Sequence, residues 1–206
     1  MPVTADDLDA AVSDVVAALR PATSLNWSVR AGDLEWDCWH TAEHLGDCLL
    51  SFAGQLVARP GDRFVRFMAT ADQDAAPAEM LEFVEVAGRL LAAAVRMTSS
   101  DVRAFHPAGL SDPAGFAAMG CVETLLHGED IARGLGRSLD PPRDVCARIL
   151  ARLFPQAAHE VTGVDPWAAL RWCTGRIELP GRTRLSEWQW HAAPEAVGLH
   201  RQGLPA

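Results

Sequence analysis

Two histidines and one glutamate in this chain have the residue types and the spacing of metal ligands. Glu123 and His127 lie four residues apart in a segment, 115–133, whose pattern predicts a helix, so both side chains share one face. His44 lies in a second helical segment, far away in the sequence. Two imidazoles and one carboxylate can hold a divalent metal and leave coordination positions for water or substrate, which is typical of a reactive metal rather than a structural one.

The helix face that carries these residues is otherwise apolar. Phe116 and Met119 share it with Glu123, His127 and Asp130, so charged groups are directed towards the core of the protein. Buried charges cost free energy of desolvation unless a metal or a partner compensates them. A helical Glu–His pair joined by hydrogen bonds, without metal, stays open as the alternative.

His44 is likewise a polar residue on an apolar helix face, in the segment 39–58. It stands among apolar residues, with Asp47 and Cys48 about one turn further on. Polar side chains on facing helices commonly build metal sites in bundle cores, although a lone core histidine satisfied by hydrogen bonds is the alternative. We interpret Asp47 and Asp130 as groups that orient a ligand, with a salt bridge on its own helix as the alternative for Asp130. Cys48 is interpreted as an inert thiol rather than a fourth ligand.

The other histidines are predicted to be solvated, on the flank of a helix or in loops and the tail. They are His40, His106, His159, His191 and His200.

Apolar periodicity predicts a mainly α fold: a four-helix bundle with a crossover connection at 98–114, followed by a short helix and a β-hairpin. We expect a bundle domain at 1–138 and a C-terminal extension at 139–206, packed on the bundle. The hairpin is expected around the turn at Pro180 and Gly181, where apolar and polar residues alternate. The predicted helices span 5–20, 39–58, 77 to about 95, 115–134, 142–154 and 166–173.

Composition excludes several classes of protein. The formal charge is -9 and all 18 basic residues are scattered arginines, which argues against nucleic acid as a partner. No apolar stretch approaches the roughly 20 residues that cross a bilayer, and the acidic start of the chain differs from a signal peptide, so a cytoplasmic protein is expected. The 5 cysteines are widely spaced without a Cys-x-x-Cys pair, which argues against a disulfide framework or a thiolate zinc cluster.

Two motifs carry a family resemblance. The first is Trp-x-Cys-Trp-x-Thr-x-Glu-His-Leu-x-Asp at 36–47, and the second is Phe-Ala-Ala-Met-Gly-x-Val-Glu-x-Leu-x-His-x-x-Asp-Ile-Ala-x-Gly-Leu-Gly at 116–136. Together they resemble the actinobacterial mycothiol-dependent maleylpyruvate isomerase family, which is part of the DinB-like superfamily. The resemblance covers roughly residues 5–136.

The resemblance implies a DinB-like four-helix bundle in which His44, Glu123 and His127 bind a divalent metal, with zinc in the isomerase itself. Nickel, iron and manganese also suit nitrogen and oxygen ligands. It further implies mycothiol as a low-molecular-weight thiol cosubstrate. The expected function is a metal-dependent, thiol-using transferase or isomerase acting on a small electrophilic substrate, as a monomer or homodimer.

Two alternatives stay open from the sequence. One is a metal-containing DinB-like protein that binds a small molecule without turnover. The other is a metal-dependent hydrolase with Asp47 or Asp130 as base.

Overall fold

Six α-helices form most of the chain in a computed structural model, which describes residues 1–194. All six predicted helices are confirmed, close to the bounds that periodicity gives. The end of the C-terminal extension, including His200, lies outside the described residues. The helices are α1 Ala5–Leu19, α2 Cys38–Ala58, α3 Pro77–Met97, α4 Pro113–Gly134, α5 Arg143–Leu153 and α6 Pro166–Cys173, with short 3-10 turns at Arg20–Ala22 and Pro155–Ala157.

Side-chain caps fix where the helices begin. The backbone N–H of Asp7 donates to Thr4 Oγ1 while the Asp7 carboxylate accepts from the Thr4 N–H, which is a capping box. Asp37 accepts from the N–H of His40 at 2.8 Å and starts α2, and Asp112 starts α4 in the same way. Each such cap stabilises a helix by about 1 kcal/mol. They set the starting points of the two helices that carry the candidate ligands.

The first four helices pack as a bundle. Both α1 and α2 pack against α3 and α4 but have little contact with each other, so they occupy diagonal corners. Helices α3 and α4 occupy the other two corners, which are also diagonally opposite. The connection 98–112 between them is therefore a crossover. None of the helices within residues 1–194 has the length and apolar character needed to cross a membrane.

Helix α4 is the most enclosed element of the bundle. It contacts α1, α2, α3 and α5, and it is buried along nearly its whole length. Phe116 and Met119 are fully buried, as expected of the core-facing side. The polar side chains on this helix therefore reach solvent only where neighbouring elements leave an opening.

The C-terminal extension packs on the bundle through α5, and α6 packs on α5. The predicted β-hairpin is not confirmed beyond its turn, where Leu179 and Arg182 form a single antiparallel bridge and no strand follows within the described residues. The reason is that the residues after the turn form hydrogen bonds with the helical part of the extension instead of with a partner strand. Trp172 Nε1 donates to Thr183 O at 3.0 Å, and the N–H of His191 donates to Leu153 O at 2.8 Å.

The segment before α2 is held against the end of α4. Arg30 and Asp37 form an antiparallel bridge, and the N–H of Ala31 donates to Trp36 O at 3.0 Å. A Cβ at Gly134 would lie 2.3 Å from Arg30 O, so this approach requires glycine. The contact fixes the backbone that carries Trp36.

We expect Gly134→Ala to lower the free energy of unfolding by roughly 1 kcal/mol. The added methyl group overpacks the contact, which destabilises a protein by about 1–3 kcal/mol, whereas replacing a glycine within a helix by alanine stabilises the helix by at most about 1 kcal/mol. Urea unfolding measures the change. Gly61→Ala is the matched control, because a Cβ there has no neighbour within 4 Å, and it should leave stability unchanged or slightly raised. A Gly134→Ala protein as stable as the parent would contradict the tight contact.

Candidate metal centre

The structure brings together side chains from the two motif segments. His44 from α2, Glu123 from α4 and Cys48, one turn after His44, each offer a ligand atom, and these atoms lie within 4.8 Å of one another. Cys48 Sγ is 3.4 Å from His44 Nε2. A nitrogen, a sulfur and an oxygen donor at this separation could hold a divalent metal ion.

His127 lies beside this group rather than within it. Its Nε2 is 3.1 Å from Glu123 Oε2, and its ring is edge-on to that of His44 with centroids 5.1 Å apart. Its Nδ1 is 3.4 Å from Asp130 Oδ2. This position is compatible both with a ligand role and with the metal-free Glu–His pair.

Cys48 belongs to the ligand group, although the sequence interpretation treats it as inert. Burial, with the charges of Glu123 and Asp47, raises the pKa of its thiol far above the ordinary range. A coordinated thiol loses its proton outright, so a bound cation would reverse this preference. The four-residue spacing from His44 was the signal in the sequence, since it places both side chains on one helix face.

A buried ion pair lies behind His127. Arg176 Nη2 donates to Asp130 Oδ2 at 2.8 Å, and its Nε lies 3.2 and 3.3 Å from the two carboxylate oxygens. Burial by itself raises the pKa of Asp130, but His127 and Arg176 outweigh it and hold that pKa below its usual value. Asp130 is therefore a charged group in contact with His127.

Arg176 was not assigned from the sequence, because it follows α6 and reaches the site only through tertiary packing. Asp47 is placed differently from Asp130. Its carboxylate accepts from the N–H of Ala69 at 2.7 Å, so it anchors the 68–71 segment against α2.

The charges in the cluster favour a neutral His44. Burial and then the neighbouring His127 lower the pKa of His44. Burial also opposes charge on His127, yet Asp130 and Glu123 raise its pKa to about 9. Without a bound ion, the proton is held on His127 next to the Glu123 carboxylate, while His44 is neutral. A neutral imidazole is the form that binds metals.

A cleft of about 590 Å³ is lined by His44, Glu123 and His127. This volume suits a small-molecule ligand. The bundle and the segment before α2 form one wall, and the segment 174–190 of the extension forms the other. The first wall includes Trp36, His44, Glu123 and His127, and the opposite wall includes Arg176, Arg184, Trp188 and Trp190.

A smaller cavity of about 280 Å³ lies on the other side of Trp36 and His44, bounded by α2 and the segment 68–70. The rings of Trp36 and His44 meet edge-on with centroids 4.8 Å apart. Trp36 therefore separates two openings that both reach His44.

No family model, curated protein or solved structure matches the chain. The relation to the DinB-like superfamily therefore stays an expectation that rests on the two motifs.

The prediction that His106 is solvated is wrong. Its ring packs against Phe64 and Trp190, with centroids 5.8 and 5.7 Å away. Burial lowers its pKa to about 4. His40 is exposed on the flank of α2, as expected, and pairs with Asp37 at 2.8 Å.

His106 should make the protein less stable in mild acid. The unfolded chain binds a proton at this residue below about 6.5, whereas the folded chain does not until about 4, so the free energy of unfolding falls as pH drops through this window. Urea unfolding at neutral pH and at about pH 5 measures the slope. His106→Asn should reduce this slope, because asparagine does not titrate. Its side-chain oxygen can still accept the hydrogen bond that the Ala108 N–H donates to His106 Nδ1. Equal slopes in the parent protein and the variant would show that His106 does not cause the loss of stability in mild acid.

Proposed function

We propose that this protein is a metal-dependent, thiol-using transferase or isomerase that acts on a small electrophilic substrate. The observation that supports it best is the group His44, Cys48 and Glu123, whose ligand atoms lie within 4.8 Å of one another, with His44 and Glu123 lining a cleft open to a small molecule. The motif resemblance supports mycothiol as the thiol, a DinB-like bundle as the fold and the cytoplasm as the location.

The donor set fits a divalent cation, with zinc first because zinc accepts nitrogen, sulfur and oxygen ligands together. Nickel and iron are next, and manganese is less suited to a thiolate. His44, Glu123 and His127 are the proposed ligands, with Cys48 within reach. A bound cation of this kind supplies Lewis acidity and keeps a thiol deprotonated at neutral pH.

The chain's own residues supply binding and positioning. Asp130 holds Arg176 at the cleft wall and lies against His127, so it fixes both side chains. Arg184 is half-exposed, 3.3 Å from Asp33, and offers a guanidinium to an anionic group of the substrate or the thiol. The indoles of Trp36 and Trp188 cover apolar parts of a ligand and exclude water from the reacting groups.

A non-catalytic metal-containing protein is the second candidate, and Cys48 is the observation that favours it. His44, Cys48, Glu123 and His127 together could complete a tetrahedral set, which is the closed arrangement of structural zinc. The hydrolase alternative has less support. The carboxylates of Asp130 and Asp47, its candidate bases, are already bonded to Arg176 and to the Ala69 N–H.

Purified protein should contain a divalent metal, measured by elemental analysis, and should consume small electrophiles only when mycothiol and the metal are both present. His44→Ala should lose the metal and the turnover. His40→Ala is the matched control on the same helix, because His40 is exposed and outside the group, and it should keep both. Protein without metal, or a His127→Ala variant that retains metal and full activity, would end the proposal.

Cys48→Ala separates the two candidates. In an open catalytic site three ligands remain, so we expect the variant to keep its metal and a measurable thiol-dependent rate. In a closed site the variant would bind metal more weakly, and neither the parent protein nor the variant would convert an electrophilic substrate. Metal content after dialysis and the rate of thiol consumption are the two readouts.

A further inference from the structure

The side chain of Arg176 connects the C-terminal extension to His127 through one carboxylate. Its guanidinium contacts both oxygens of Asp130, and its Nη1 donates to Thr174 O at 3.2 Å. The side chains of Arg176 and Asp130 are only 12% and 2% exposed. Because the planar guanidinium meets both oxygens, it fixes the orientation of the carboxylate as well as its position.

The same carboxylate faces one ring nitrogen of His127. Asp130 Oδ2 lies 3.4 Å from Nδ1, and Nδ1 is buried without a hydrogen bond to any residue that the structure describes. The contact is slightly too long for a good hydrogen bond. A buried N–H without an acceptor is unfavourable, and a small turn of the ring would align Nδ1 with Asp130.

The other ring nitrogen of His127 faces the donor group. Its Nε2 lies 3.1 Å from Oε2 of Glu123, yet His127 is outside the group whose ligand atoms lie within 4.8 Å of one another. The orientation of the ring therefore decides whether His127 joins the group. Histidines that bind metals almost always donate their other N–H to a carboxylate or a carbonyl, which fixes the tautomer and the orientation of the ring.

A neighbouring ion pair also joins the extension to α4 and provides a comparison. Arg171 of α6 has its Nη1 3.6 Å from Oε1 of Glu129, and Glu129 also accepts from a backbone N–H in the connection between α4 and α5, at 2.8 Å. Neither residue lines the cleft or belongs to the donor group. The pair of Arg176 and Asp130 differs because its carboxylate contacts a proposed ligand.

We propose that Arg176 is a positioning residue for the metal: it holds Asp130 against Nδ1 of His127 and so directs Nε2 of that ring to the donor group. The inference rests on the proposed metal centre and gives the extension a role in metal affinity. His127 keeps the proton on Nδ1, donates it to Asp130 and binds the cation as a single tautomer.

Zinc affinity of the full chain, measured by competition with a chromophoric chelator, tests this role. Arg176→Lys keeps the positive charge beside Asp130 but cannot hold both oxygens, so affinity should fall roughly 10-fold in a folded protein. Arg171→Lys is the matched control, because it makes the same exchange in the neighbouring pair, and it should bind zinc as tightly as the parent.

Three outcomes would contradict the expectation in different ways. Equal affinity in Arg176→Lys and the parent would overturn the positioning role, and so would an equal loss in Arg171→Lys, since general loosening of the extension would then explain both. The proposed metal centre would survive either result. A parent protein that binds no zinc would overturn the metal centre together with this inference.

A double variant tests whether Arg176 acts through Asp130. Asp130→Asn should weaken zinc binding by itself, and adding Arg176→Lys should weaken it no further, because both changes break the same connection. Additive losses would overturn the connection.

NMR spectroscopy of the histidine ring nitrogens tests the orientation of the ring. Long-range ¹H–¹⁵N spectra of the zinc-loaded parent should show the proton of His127 on Nδ1 and the metal on Nε2, and Arg176→Lys should add a second His127 species. A purely structural role of Arg176 would leave the His127 signal single. Zinc on Nδ1, or a single unchanged signal in the variant, would overturn the inference.

Discussion

The buried carboxylates of α4 are the constraint on which the rest of the structure depends. Glu123 and Asp130 lie on the most enclosed helix, where an uncompensated charge is strongly destabilising. Compensation comes from His127, which lies between them on the same helix, and from Arg176 of the extension. The need to compensate these charges therefore holds the C-terminal extension against α4, next to the donor atoms His44 and Glu123 that line the cleft.

The sequence was sufficient to predict the helices and the meeting of His44 with Glu123. Both predictions rest on local periodicity, which shows where a helix runs and which of its residues face inward. A polar residue on an apolar face is informative because it conflicts with its surroundings. Cys48 does not conflict with its surroundings in this way, because cysteine is commonly buried. Only the folded structure shows that it lies in the group.

The features that the sequence did not predict depend on contacts distant in the chain. Arg176 is 46 residues from Asp130, and the docking of α6 alone brings the two together. His106 is half-buried because Trp190, from the far end of the chain, packs against it. The alternation at 185–190 resembled a strand, but Trp188 and Trp190 alternate because they line the cleft and pack on each other, with centroids 5.8 Å apart.

The two-part construction of the cleft has a consequence for how the site can vary. The donor atoms come from α2 and α4, whereas the facing wall belongs to the segment 174–190. Substitutions at Arg184, Trp188 or Trp190 therefore alter the shape and charge of the cleft without replacing a donor atom. The choice of small molecule can change with the C-terminal segment while the ion-holding group stays the same.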